Sequence, residues 1–98
     1  MSVIKHIEIE GKSAVALFDT GAFHTYVVRS HLKGVPRRAI KRPYEVSLGG
    51  ETIVVRENAV VNGKIEGLDF STMAVLITSH GKADGHRLDV IIGASTME

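Results

Sequence analysis

The segment LFDTGA, residues 17–22, joins an apolar run to a carboxylate that is followed at once by threonine and glycine. An ionised carboxylate at the end of a buried strand is unfavourable unless it is hydrogen-bonded or paired, so Asp19 is a candidate catalytic group. The hydroxyl of Thr20 can hold the loop, and Gly21 allows a close backbone approach. Aspartate and glycine dominate turns in general, so the tripeptide alone favours an ordinary turn over a catalytic loop.

The composition of the chain narrows the other kinds of site that it can contain. Cysteine is absent from its 98 residues, which excludes disulfides, thiolate metal sites and a cysteine nucleophile. The net charge is +1 and tryptophan is absent, so no nucleic-acid or membrane partner is expected. Neither a signal peptide nor an apolar stretch approaching ~20 residues is visible. We expect one domain over residues 1–98, located in the cytoplasm, with no cofactor and no metal.

The elements that must position Asp19 are strands. Apolar alternation or short apolar runs between turn signals predict strands at 3–9, 14–18, 25–28, 44–48, 52–56, 59–65, 69–77 and 88–92. A helical turn is expected at 29–33, another helix from 93 to 98, and exposed loops at 33–43 and 78–86. Gly49 and Gly50 mark a two-residue hairpin. The pattern predicts an all-β protein, either a sandwich or a small barrel.

Three motifs in chain order resemble those of the retropepsins, the retroviral-type aspartic proteases. They are ALFDTGAFHTYV at 16–27, VSLGGETIVV at 46–55 and DVIIGAS at 89–95. The resemblance covers nearly the whole chain and implies a retropepsin-like β-barrel or sandwich with a flap hairpin and one short C-terminal helix. It implies an aspartic endopeptidase that acts on peptides or proteins as a homodimer, each subunit giving one catalytic aspartate, here Asp19. The initiating methionine is typical of an independent gene product and not of an excised polyprotein segment, although it does not separate host from viral origin. The member that we expect is cellular or prokaryotic.

The resemblance also implies roles for the other motif residues. Thr20 would hydrogen-bond across the two-fold axis, the backbone of Gly21 would accept a hydrogen bond from substrate, and Ala22 would complete the loop. Gly93 would support that loop from the C-terminal motif. The implied flap and substrate-wall residues are Leu48, Gly49, Gly50, Ile91 and Ile92.

Two departures from the retropepsin pattern concern the loop and the C-terminus. Phe23 and Ala94 stand where viral members carry an acidic residue and an arginine that form an ion pair, so neither charge is left unpartnered. The sequence ends at Glu98, inside the expected helix, so we expect the domain as given to lack the C-terminal dimerisation strand. Either this is a truncated form, or the full protein carries more residues, or its dimer is built differently. This motivates an alternative of another class, a non-catalytic β-domain of the same fold that binds peptides or a partner.

Three further features carry weaker signals. Nitrogen and oxygen ligands occur together at His80, Asp84, His86 and Asp89, but the glycines among them favour a solvated turn over a metal site. The basic run 33–42 lacks aromatic residues, which favours a solvated loop over a nucleic-acid contact. Its position before the flap also suggests a bias towards acidic substrates. His24 is either a substrate contact or an ordinary surface histidine.

Overall fold

The computed structural model describes residues 2–48, 50–83 and 85–97. Among these residues the chain forms strands and two short helical segments: β1 (Ser2–Ile9), β2 (Lys12–Asp19), β3 (Thr25–Val28), a 3₁₀ helix (Arg29–Leu32), β4 (Arg38–Leu48), β5 (Glu51–Ile65), β6 (Leu68–Ile77), β7 (Gly81–Ala83), β8 (His86–Leu88), β9 (Val90–Ile92) and α1 (Ala94–Met97). The predicted all-β fold with a short C-terminal helix is confirmed. No helix in the described ranges is long and apolar enough to cross a bilayer.

Six of the strands close into a barrel in the order β1-β2-β9-β3-β6-β5, and β5 pairs again with β1. The closing contact is short, since it joins Glu8 to Lys64 and Ile9 to Gly63. A Cβ at Gly63 would lie 2.8 Å from the carbonyl oxygen of Glu8 and closer still to the ring of Phe70, so this approach requires glycine. Strand β4 extends the sheet beyond β5, and β7 and β8 form a separate hairpin.

The barrel wall is apolar on both faces because alternate side chains of its central strands enter different cores. In β3, Val27 lies in the barrel interior, whereas Tyr26 and Val28 lie on the outer face. In β9, Ile92 lies inside and Ile91 outside. The outer core combines the outward-facing residues of the wall with residues of β5 and β8. Its members are Tyr26, Val28, Val55, Val75, Ile77, Leu88 and Ile91. Fully burying one such aliphatic side chain contributes roughly 1.5–3 kcal/mol, so both cores hold the wall in place.

The expected loops and strand boundaries differ from the structure in four places. The loop expected at 33–43 is wrong from Arg38 onwards, where β4 begins as an edge strand whose basic side chains remain in solvent. The strands expected at 52–56 and 59–65 are one continuous strand, β5. Strand β7 lies inside the loop expected at 78–86, and the strand expected at 88–92 is interrupted at Asp89.

Candidate active site

Asp19 ends strand β2, which runs parallel to β9 with Phe18 opposite Ile92. The backbone N–H of Gly21 donates to Oδ1 of Asp19 at 2.9 Å, and the N–H of Ala22 donates to the Asp19 carbonyl oxygen at 3.2 Å. A Cβ on Gly21 would lie 3.2 Å from the same carboxylate oxygen, which explains the glycine. The tight turn therefore holds the carboxylate in one position at the end of a rigid strand.

The turn that carries Asp19 is held from below by the C-terminal segment. The N–H of Ala94 donates to the carbonyl oxygen of Ala22 at 2.8 Å, and the N–H of Ser95 donates to that of Phe23 at 3.1 Å. Gly93 packs so tightly here that a Cβ would lie 2.6 Å from the carbonyl oxygen of Phe23 and closer still to that of His24. The short distance between α1 and the turn thus depends on the absence of a side chain at Gly93.

A cluster of threonine hydroxyls links the same segment to the barrel wall. Thr25 is 1% exposed, and its Oγ1 accepts a hydrogen bond from the N–H of Gly93 at 3.1 Å. The hydroxyl of Thr25 also bonds that of Thr96, which in turn lies 2.8 Å from the hydroxyl of Thr72. Strands β3 and β6, Gly93 and α1 therefore meet at buried or half-buried polar groups that satisfy one another directly behind the turn.

Replacing Thr25 by valine tests this linkage. We expect Thr25→Val to lower the free energy of unfolding by about 1–3 kcal/mol, because the buried N–H of Gly93 loses its acceptor. The measurement is the urea concentration at the midpoint of unfolding. The comparison holds when the slope of the unfolding free energy against urea concentration is the same in the variant and the wild type. Thr52→Val, the same change at an exposed threonine, is the control. Equal midpoints for the two variants would contradict the assigned role.

A cleft of about 780 Å³ opens in front of Asp19. This size falls within the range of small-ligand sites. The β4–β5 hairpin covers one side and the β7 region the other. The described residues that line it are Leu17, Asp19, Gly21, Ala22, Phe23, His24, Tyr26, Val46, Ser47, Glu51, Ile77, His80, Gly81, Lys82, Leu88 and Ile91. The floor is largely apolar, and Asp19 stands on it as a carboxylate on a fixed backbone.

The structure brings together most of the predicted loop and wall residues. Asp19, Gly21, Ala22 and Ile91 all line the cleft, and Thr20 lies exposed within the same turn. The placement of Ile92 on the substrate wall is corrected by the structure. Its side chain lies in the barrel interior and is 1% exposed, because successive side chains of a strand point to opposite faces.

The predicted hairpin tip is only partly described. Leu48 pairs with Glu51 across the turn, and Gly50 has a φ of +84°, a conformation that favours glycine. Gly49 and the side chain of Leu48 lie outside the described part of the chain. The hairpin itself reaches the cleft through Val46, Ser47 and Glu51.

Tyr26 is the main cleft residue that sequence reasoning missed. It is buried between the floor and the hairpin, and the alternation of β3 is the signal that could have placed it beside Leu17 and Ile91. His24 stacks edge-on against Phe23 at 5.1 Å and against Tyr26 at 6.4 Å, measured between ring centroids. His24 is therefore part of an aromatic cluster on the cleft wall.

Burial raises the pKa of the Tyr26 phenol above its usual 10.0, and the nearby Tyr44 adds to this effect. The Tyr44→Phe protein retains Tyr26 as its one tyrosine. We expect spectrophotometric titration to show that this tyrosine ionises at a higher pH in the folded protein than in the same protein unfolded in urea. The raised folded-state pKa contributes stability below pH 10, and this stability is lost at higher pH because the unfolded chain ionises first. Identical folded and unfolded titration curves would contradict the burial.

Two of the four residues that were considered for a metal, His80 and Asp89, form contacts within the framework. Oδ2 of Asp89 accepts a hydrogen bond from the N–H of Val15 at 2.9 Å, and Oδ1 lies 3.2 Å from Nε2 of His80. Asp84 lies outside the described residues. Within the described residues, no three histidine or acidic side chains are grouped so as to hold a metal ion.

Comparison with known proteins adds a family and a fold. The sequence model of the aspartyl protease family matches residues 6–96. A search among curated proteins gave no match. Among solved structures, the chain is similar to the EIAV protease complexed with the inhibitor HBY-793, with a TM-score of 0.60 and 18% identity. The similarity covers 95% of this chain and 82% of that protease chain, and it confirms the predicted retroviral-protease fold.

Proposed function

Because the chain belongs to the aspartyl protease family, we propose that it is an aspartic endopeptidase whose active site is completed by a second copy of the chain. The predicted retropepsin-like membership is confirmed by the family and the fold. The observation that carries the proposal is the single Asp19 carboxylate, fixed on the floor of a peptide-sized cleft. Aspartic proteases in general use two carboxylates, and this chain has one Asp-Thr-Gly sequence. The second carboxylate is therefore the Asp19 of a partner copy.

Exposed apolar side chains beside the turn support such a partner. Phe23 is 65% exposed and Met97 is 40% exposed, and both flank the backbone bonds between the turn and α1. Burying them against a second copy would remove apolar surface from water next to the paired carboxylates. In this arrangement Thr20 hydrogen-bonds across the two-fold axis and steadies the two turns.

The chemistry of the pair follows from electrostatics. Two carboxylates about 3 Å apart share one proton, because both cannot be ionised at that distance. The ionised member takes a proton from a water molecule, whose oxygen attacks the scissile carbonyl carbon while the protonated member donates to the carbonyl oxygen. The tetrahedral intermediate then breaks its C–N bond, and the leaving amine takes a proton. The shared proton belongs to the pair and not to either residue.

The cleft suits a peptide that binds as an added strand between the floor and the β4–β5 hairpin. In this role the hairpin is the flap, with Gly50 at its tip and the backbone of Gly21 as a hydrogen-bond acceptor below. The backbone bonds from α1 hold the turn in a chain where Phe23 and Ala94 replace the ion pair of viral members. The non-catalytic alternative shares this fold, and no observation favours it. The cytoplasmic location, the origin of the chain and the missing C-terminal strand stay predictions.

Mixing wild-type and Asp19→Asn chains tests the shared site. After exchange of equal amounts, about a quarter of the dimers contain two intact carboxylates, whereas about half of the sites would stay active if each chain worked alone. We expect peptide cleavage by the mixture to fall to about a quarter of that of the same total amount of wild-type protein. Sedimentation should give the mass of a dimer. Activity at the higher value, or a monomer that cleaves, would overturn the shared dyad.

A further inference from the structure

A second concave surface lies on the outer face of the barrel, at the end of the β4–β5 hairpin away from Gly50. Its volume is about 400 Å³. We call this surface the lateral groove. The described residues that line it include Pro36, Arg37, Arg38, Asn58, Val60 and Met73. None of its described lining residues also lines the cleft that holds Asp19. The proposed peptidase chemistry therefore gives it no role.

The floor of the lateral groove is apolar. Val60 on β5 and Met73 on β6 lie directly opposite each other and share one face of the sheet, and they are 56% and 52% exposed. Two residues earlier on that face, Asn58 pairs with the buried Val75 of the outer core. A single exposed apolar residue is common, but a cross-strand pair in a concave surface forms a contact site for another apolar side chain.

The wall of the lateral groove is basic. Arg37 and Arg38 line it, and the exposed Lys33, Lys41 and Arg42 lie along the same segment. Within the described part of the chain, none of these five cations lies within 4 Å of a carboxylate oxygen. The described residues of segment 33–42 therefore concentrate unpaired positive charge, although the net charge of the chain is only +1.

The basic wall is held in position before any ligand arrives. The N–H of Val35 donates to the carbonyl oxygen of Leu32 at 3.2 Å, and Val35 packs against the interior core. The guanidinium of Arg37 lies 3.4 Å from the carbonyl oxygens of Leu32 and Arg29. Arg38 pairs with Asn58 in the sheet. Little conformational entropy is lost on binding when the contact groups are already placed.

We propose that the lateral groove docks an acidic segment of a protein substrate, with carboxylates against Arg37 and Arg38 and an apolar side chain on Val60 and Met73. The apolar floor favours this occupant over nucleic acid, since none of the described residues that line the groove is an aromatic residue on which a base could stack. Along β5, the path from Glu51 to Asn58 is roughly 23 Å, so the docked segment lies outside the part of the substrate that is cut. Only the identity of the occupant as a substrate rests on the proposed function.

The test measures binding of a fluorescein-labelled decapeptide of alternating glutamate and leucine to Asp19→Asn protein, by fluorescence anisotropy. We expect Arg38→Glu to weaken binding roughly tenfold, and added salt to weaken it further. Met73→Ser and Val60→Ser should each weaken it roughly three- to tenfold through lost apolar contact. The matched controls are Lys12→Glu, an equal change of charge, and Leu68→Ser, at an exposed leucine outside the groove. They should leave the affinity unchanged.

Three results would overturn the inference. Equal losses in Arg38→Glu and Lys12→Glu would show attraction by overall charge alone. Tighter binding of a single-stranded oligonucleotide than of the peptide, also lost in Arg38→Glu, would assign the surface to nucleic acid. Dissociation of the dimer by Met73→Ser would make the groove an interface between copies. Because the binding protein carries Asp19→Asn, docking is measured separately from cleavage, and either proposal can fail while the other stands.

Discussion

Substitution of Asp19 by asparagine should reduce peptide cleavage by about 10²–10⁴-fold, because the pair loses the carboxylate that takes a proton from water. The fold should be kept, since the asparagine side-chain oxygen can still accept the hydrogen bond that Oδ1 receives from Gly21. Cleavage should be assayed from mildly acidic to neutral pH. The wild-type profile should be bell-shaped, because only the singly protonated pair is active.

Asp69→Asn is the matched control for this experiment. Its carboxylate is 85% exposed, lies 3.8 Å from Lys64 and does not line the cleft. The variant should therefore cleave at the wild-type rate. Circular dichroism and thermal unfolding of Asp19→Asn should match the wild type, so that lost activity reports on chemistry. Cleavage that survives Asp19→Asn would exclude the aspartic mechanism.

Substitution of Gly93 by alanine should be the most destabilising small change in the chain's active-site framework. The new Cβ would meet the carbonyl oxygen of Phe23 at 2.6 Å and that of His24 at a still shorter distance, and neither is the flexible end of a side chain. The turn and α1 must therefore move apart, which breaks the backbone bonds between them. We expect a loss of about 3 kcal/mol or more in the free energy of unfolding.

Urea unfolding measures this loss, with Gly81→Ala as the matched control. A Cβ at Gly81 would meet only Leu88, at 3.6 Å or more, which is ordinary contact. Because the Gly93 change displaces the turn of Asp19, cleavage should also fall in the fraction that remains folded. Similar unfolding midpoints for the two variants would show that the turn does not depend on Gly93.

Much of the fold was predictable from local patterns. The continuous apolar run 14–18 and the run 25–28, which is rich in β-branched residues, indicate strands, and the structure shows both strands in the barrel wall. The glycine pair 49–50 likewise predicted the β4–β5 hairpin, in which Gly50 has a positive φ. Such features depend on a few neighbouring residues, so the sequence specifies them directly.

The errors arose where a long-range partner overrides local composition. The basic segment 38–43 has the composition of a loop, yet it lies in β4 because pairing with β5 on either side of it, at Arg38 and Ala39 and again from Tyr44, carries the strand through a register shift. Ile91 and Ile92 are alike in sequence, but the barrel places one in the cleft and the other in the interior. Tyr26 lies on the cleft wall for the same reason. The pairing of β3 with β6 and β9 decides which face of the sheet its side chain occupies.

The sequence by itself pointed to Asp19 as the candidate catalytic group, because the Asp-Thr-Gly turn after a buried strand is a local arrangement and the two later glycine motifs follow it in the same chain order as in retropepsins. It also determined the strand content and the glycine hairpin. Only the tertiary structure decided which backbone bonds hold the turn of Asp19 from below, since the amides of Ala94 and Ser95 lie more than seventy positions away along the chain from the residues they bond. The tertiary structure likewise brought Val60, Met73 and the arginines of the lateral groove to one face, because strand pairing and barrel closure are set by packing over the whole chain.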